Sequence, residues 1–275
     1  MIFATAGAVP GTLLWRTVEE ANLLVETTRK HLPGLLAWAA MMTHFHVGLA
    51  GHGDLRRLAV VMRVYARKRN RLRGERGPVW AWRDLAWREE RNADGKRILL
   101  RYCSLNPCRK DHLYVKDPLA WPWTSHRGAV GLAIDPLVRP LRDPERYHGF
   151  VVSDPVFSRW EASRLPVAAP RDDQPPAPRS VLRAVAALLR TTPDRLLTDR
   201  RARRIAIGAA RALTDLPATA IADVFGVHPA TVGRVPRPPR SRELLVRRVL
   251  DDPRFEPWTD AGLAELARRW HRGRR

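Results

Sequence analysis

Apolar positions along the chain change period several times, and each change marks an element. Met1 to Ala8 is a short apolar run closed by Gly7, Pro10 and Gly11, which predicts a first strand. After Thr17, residues Val18, Ala21, Leu23, Leu24 and Thr27 fall at helical spacing, with Glu19 and Glu20 in the first turn, where the helix dipole favours acids. Pro33-Gly34 ends that helix. Leu35 to Ala50 is almost continuously apolar and reads as one buried strand, with His44 and His46 near its end. Leu55 to Leu72 repeats apolar residues at Leu55, Leu58, Ala59, Met62 and Tyr65. Its other face carries Arg56, Arg57, Arg63, Arg67, Lys68, Arg69 and Arg71, an amphipathic helix with a basic side. Val79 to Arg88 interleaves Trp80, Trp82 and Trp87 with arginines as a further strand, and Ile98 to Leu105 reads as a helix ended by Pro107.

The later chain changes character. Residues 118–131 form a Trp/Pro-rich stretch, PLAWPWTSHRGAVG, and 164–179 is rich in Pro, Ala and Asp, a linker composition. Beyond it, helices are predicted at 180–190, 193–198, 200–214, 218–225, 229–235 and 241–250. The expected division is a first domain over 1–150, a linker over 151–178, a helical domain over 179–250 and a basic C-terminal helix over 251–275, which can pack on either domain. The fold class is therefore α+β: an antiparallel sheet with packed helices, then an all-α unit.

Composition narrows the class of partner. The 275 residues are 45% hydrophobic, enough for packed cores, and Lys plus Arg total 49 against 28 Asp plus Glu, a formal charge of +21. A compositional bias accounts for part of the arginine but not for the imbalance, which points to a polyanion, nucleic acid first. Cys103 and Cys108 read as reduced thiols, and a lone C-x4-C is no metal site. No secretory signal and no run of about 20 apolar residues is visible, so a soluble cytoplasmic protein is expected.

Two constellations carry chemistry. On a strand, residues i and i+2 share a face, so His44 and His46 present two imidazoles side by side, suited to a divalent metal. Taken alone, the triplet reads first as a pair of surface or core histidines. Tyr102 is the candidate nucleophile, able to form a covalent link to phosphate. Asn106 lies one helical turn on and can offer its oxygen as a third ligand. Tyr65 reads as a packing residue, and Tyr114 and Tyr147 fall in loops. The second constellation is Ala218 to Val235, ATAIADVFGVHPATVGRV, a candidate helix-turn-helix with Gly226 at the turn and Pro229 opening the second helix. His228, Thr231 and Arg234 would face a major groove; the plainer reading is a short helical hairpin.

The segments LLAWAAMMTHFHVGLAG, RYCSLNPCRK and DPLAWPWTSHRG, in that order, resemble the REP-associated tyrosine transposases, single-tyrosine HUH enzymes whose segments read like M-P-N-H-x-H, Y-I-H-x-N-P-V-R-A-G and P-W-S-S-Y. The resemblance covers roughly residues 1–132. It implies a ferredoxin-like sheet of four or five strands, Mg2+ or Mn2+ at His44, His46 and Asn106, and Tyr102 attacking single-stranded DNA to give a 5′-phosphotyrosine. It also implies DNA hairpins as partners and, in some members, a homodimer. Met42, Thr43, Cys108, Lys110, Asp111 and His126 depart from the pattern, as does ATAGAVPGT in the first strand. Residues 178–240 resemble the C-terminal DNA-binding domain of bacterial replication initiators. That likeness implies duplex DNA as a second partner, with Arg200, Arg201, Arg203, Arg204 and Arg211 on phosphates. Arg67 and Arg69 on the basic helix are further DNA candidates. The alternative function is a DNA-binding regulator that no longer cuts. Replication and relaxase nickases, which often carry a third histidine or paired tyrosines, fit less well.

Overall fold

The computed structural model describes residues 1–109, 114–154, 163–167 and 175–272. Lys110, Asp111 and most of the expected linker therefore lie outside the described residues. The chain forms two compact units: residues 1–131, 136–163 and 259–275, and residues 132–135 with 164–258.

The first unit is built on four strands, β1 (Ile2–Gly7), β2 (Leu35–Ala40), β3 (His44–Leu49) and β4 (Ala86–Glu89), in the spatial order β2-β3-β1-β4. All neighbours are antiparallel. Helix α1 (Val18–His31) joins β1 to β2, and α2 (Gly53–Arg73) lies between β3 and β4. This β-α-β-β-α-β order is the ferredoxin-like arrangement. Helix α3 (Ala93–Leu105) follows.

The expected single strand over 35–50 is a hairpin. The chain reverses at Met41–Thr43, where both methionines are buried and Met41 N donates to His44 O at 2.8 Å. No Gly or Pro marks the reversal. Its carbonyls are satisfied from elsewhere, by Leu14 N on Met42 O and Ala8 N on Thr43 O, each at 2.7 Å. The expected strand over 79–88 is also corrected. Trp80 makes only an isolated bridge to Ala8, a 3-10 turn at Trp82–Asp84 intervenes, and β4 begins at Ala86.

Register divides the sheet into two faces. Phe3, Thr5 and Gly7 pair with Gly48, His46 and His44, and Ala86 and Arg88 pair with Thr5 and Phe3, so all of these share one face. Ala37 and Ala39 lie on it too, and their small side chains let α3 approach through Cys103 and Leu100. The other face carries Ile2, Ala4, Ala6, Phe45 and Val47, all buried, each large side chain contributing about 1.5–3 kcal/mol. Trp87 is on that face, against His52 at the start of α2.

Thr17 caps α1 by accepting from Glu20 N. Glu20 is buried, which alone would raise its pKa, but the Arg73 guanidinium on α2 holds its carboxyl below the usual range. Arg69 pairs with Glu75 at 2.9 Å, donates to Leu13 O at 3.2 Å and is 5% exposed. It belongs to this network, not to an outward basic face, so its expected DNA contact is withdrawn.

The Trp/Pro-rich stretch braces β2. Ala40 N donates to Trp123 O at 2.8 Å and Trp121 Nε1 to Ala40 O at 3.1 Å, while Trp15, Trp121 and Trp123 pack on one another. Helices α4 (His126–Ala129) and α5 (Pro144–Val152) follow, and His126 Nε2 lies 3.0 Å from His148 Nδ1.

The second unit is all helical: α6 (Pro178–Leu188), α7 (Pro193–Thr198), α8 (Arg200–Leu213), α9 (Ala218–Phe225), α10 (Pro229–Arg234) and α11 (Arg240–Val249). These nearly coincide with the predicted helices. Gly208 has Pro236 O only 2.9 Å from where a Cβ would stand, so any larger residue would push α8 off that segment. Helix α12 (Asp260–Arg272) belongs to the first unit, where Asp260 Oδ1 accepts from Val18 N at 2.7 Å. Among the described residues, no helix is long and apolar enough to cross a membrane.

Candidate functional site

His44 and His46 open β3 and project onto the face covered by α3, their ring centroids 4.5 Å apart. Both Nδ1 atoms meet a threonine hydroxyl at 2.8 Å, Thr43 for His44 and Thr5 for His46. That contact orients each ring, so that Nε2 is the atom that would face a metal. Thr5 sits opposite His46 in the β1–β3 register, a relationship that exists only once the strands pair.

Helix α3 brings the other groups. Asn106, fully buried at its C-terminus, places Oδ1 3.3 Å from His44 Nε2. Two ligands at right angles about one ion, each about 2.1 Å away, stand about 3.0 Å apart. The spacing therefore fits two adjacent ligands of one metal. The set, two imidazole nitrogens and an amide oxygen, is uncharged. Among the described residues no three His, Cys, Asp or Glu gather at one place. In a neutral His44 ring, an Nε2–H donating to Asn106 Oδ1 would leave Nδ1 to accept from Thr43. Coordination would reverse both roles, and a hydroxyl serves in either.

Tyr102 stands one turn before Asn106. Its ring meets His46 edge-on at 5.2 Å and Phe3 at 5.6 Å, and Phe3 in turn stacks on His46. Burial raises the phenol pKa; Arg109, Asn106 and Arg88 pull it the other way without cancelling that rise. Arg109 lies over the Tyr102 ring, with its guanidinium carbon 5.0 Å from the centroid. The phenol lines two hollows, one with Phe3, Ala86 and Arg88, the other with Arg101, Arg109 and Asp154.

All four residues expected at the first site thus converge. Thr5, Phe3 and Arg88 join them, unforeseen because their place depends on sheet register. Of the tyrosines set aside, Tyr65 is buried with its hydroxyl on Leu14 O, and Tyr147 bonds Ser104. Arg67 is exposed on α2.

In the second unit, α9 and α10 are joined by Gly226 in the left-handed conformation, φ 59°. His228, Thr231 and Arg234 are all exposed, at spacing that sets them along one side of α10. His228 also caps that helix, its Nδ1 accepting from Ala230 N at 3.2 Å. Arg200, Arg201 and Arg204 gather at one hollow with Arg242 from α11, and Arg201 pairs with Asp135 at 2.6 Å. Arg211 is corrected: it donates to the carbonyls of Gly233 and Val235, tying α8 to the end of α10, and does not extend the basic patch.

No protein-family model matches this chain. A comparison with curated proteins also finds no match. Among solved structures, one of a REP-associated tyrosine transposase bound to a REP hairpin is similar at 18% identity and a TM-score of 0.37, over 46% of this chain and 78% of that one. At that score the likeness adds nothing to the geometry above.

Proposed function

We propose that this chain is a metal-dependent transposase that cleaves and rejoins single-stranded DNA at hairpin-flanked sites. Its proposed nucleophile is Tyr102 and its proposed ligands are His44, His46 and Asn106. The supporting observation is the meeting of β3 and α3, where His44 Nε2 reaches Asn106 Oδ1 at 3.3 Å while Tyr102 packs on His46.

Two imidazoles favour Mn2+ over the harder Mg2+ at this site. A bound divalent ion would polarise the scissile phosphate and offset charge in the transition state. Tyr102 Oη attacks phosphorus, the bond to the 3′ oxygen breaks, and the phenol proton ends on the released 3′ hydroxyl. The 5′ phosphate stays on the tyrosine, which conserves the bond for rejoining. Burial raises the phenol pKa, so the proposed attack requires the Tyr102 proton to be taken up elsewhere. The second unit, through Arg200, Arg201, Arg204, His228, Thr231 and Arg234, holds duplex DNA in the cytoplasm.

The test is a labelled pool of single-stranded hairpins incubated with the protein and Mn2+, resolved on a denaturing gel. A covalent adduct is expected, and Tyr102→Phe should abolish it while leaving DNA binding intact. An adduct that survives the substitution overturns the nucleophile. Absence of any adduct leaves a DNA-binding regulator.

A further inference from the structure

The aromatic pair beside the proposed nucleophile is bracketed by two guanidinium groups. Arg88, exposed on the edge strand β4, has its guanidinium carbon 5.9 Å from the Phe3 centroid; Arg109 has its own 5.0 Å from the Tyr102 centroid. Phe3 and Tyr102 are themselves 5.6 Å apart, so Arg88, Phe3, Tyr102 and Arg109 form a row. Register puts Arg88 opposite Phe3, on the same face as the histidines.

The neighbouring arginines are paired: Arg91 with Glu89, Arg97 with Asp94, Arg101 with Asp154. Among the described residues, neither Arg88 nor Arg109 meets a carboxylate. Two cations without counter-charge, on either side of a phenol and above aromatic rings, suit a strand with a phosphate on each flank of the attacked one.

We infer that Arg88 and Arg109 form a clamp that grips the backbone of single-stranded DNA on both sides of Tyr102, positioning the scissile phosphate over the phenol. This rests on the function proposed above and adds the residues that bind the strand. The clamp acts by charge, so its signature is the salt dependence of binding. Each phosphate contact on a single strand contributes a slope of about 0.7 in log affinity against log salt.

The experiment measures fluorescence anisotropy of a labelled oligothymidine of about a dozen nucleotides with the full chain, across a salt series. Excess unlabelled duplex occupies the second unit. Arg88→Gln and Arg109→Gln should each lower the slope by about 0.7, and the double variant by about twice that. Arg109→Lys, which keeps the charge, should retain the wild-type slope and guards against a local folding defect. Unchanged slopes in both glutamine variants, with wild-type binding and the Tyr102 adduct present, overturn the clamp alone. Failure of the wild-type protein to bind the strand overturns the function and the clamp together.

Discussion

His44 and Asn106 lie 62 residues apart in the chain, yet Nε2 of one sits 3.3 Å from Oδ1 of the other. The contact joins the first residue of β3 to the C-terminal end of α3, so the proposed ligand set depends on how that helix seats on the sheet.

Metal affinity should follow this contact and the hydroxyls behind it. Asn106→Leu removes the proposed oxygen ligand and should weaken Mn2+ binding, read by electron paramagnetic resonance titration. Asn106→Asp places a negative charge beside the ion and should tighten it. Thr5→Val or Thr43→Val, which release one imidazole each, should each cost about 10–100-fold in affinity. If the threonine variants bind Mn2+ like wild type, the hydroxyls do not orient the ligands.

Stability should depend on pH through a different histidine. His126 is fully buried, which pushes its pKa well below the usual value, with His148 and Arg127 adding to the effect. The unfolded chain therefore takes up this proton first. Stability from the neutral ring is complete above the unfolded value of about 6.5 and is lost as pH falls below it, by at most about 1.4 kcal/mol per unit. Urea midpoints should drop between pH 7.5 and 5.5, and the drop should shrink in His126→Gln. An equal drop in that variant assigns the pH dependence elsewhere.

Duplex binding should map to the second unit and separate into two kinds of effect. Replacing Arg200 or Arg204 with Gln should weaken binding to every duplex and reduce the salt slope by about 0.9 per lost phosphate contact. Arg234→Ala should instead relax sequence preference, costing about 1–3 kcal/mol on the preferred site only. Arg211→Ala should lower thermal stability, because it removes the tie between α8 and the end of α10. Unchanged salt slopes in the glutamine variants would show that the α8 patch does not touch DNA.

Legibility in the sequence followed the range of the interactions involved. The helices of the second unit could be read closely because period, proline starts and Gly226 are local signals. The β2–β3 reversal could not, since Met41, Met42 and Thr43 carry no turn chemistry and are held by distant backbone groups. His44, His46, Tyr102 and Asn106 were visible as residue types at telling spacings. Thr5 and Arg88 were not, because only register sets them beside the site. Arg69 misled for the opposite reason: helical spacing counted it on a basic face, while tertiary pairing with Glu75 turned it inward.

Placing Tyr102 and Asn106 on one helix has a mechanical result. The proposed nucleophile and the proposed amide ligand are set one turn apart by α3 itself, whereas both imidazoles ride on the sheet. Sliding α3 along its bed of Ala37 and Ala39 would carry the phenol and the ligand away together. In the proposed centre the two functions would thus be interlocked: withdrawing the tyrosine would also open the ligand shell on the Asn106 side.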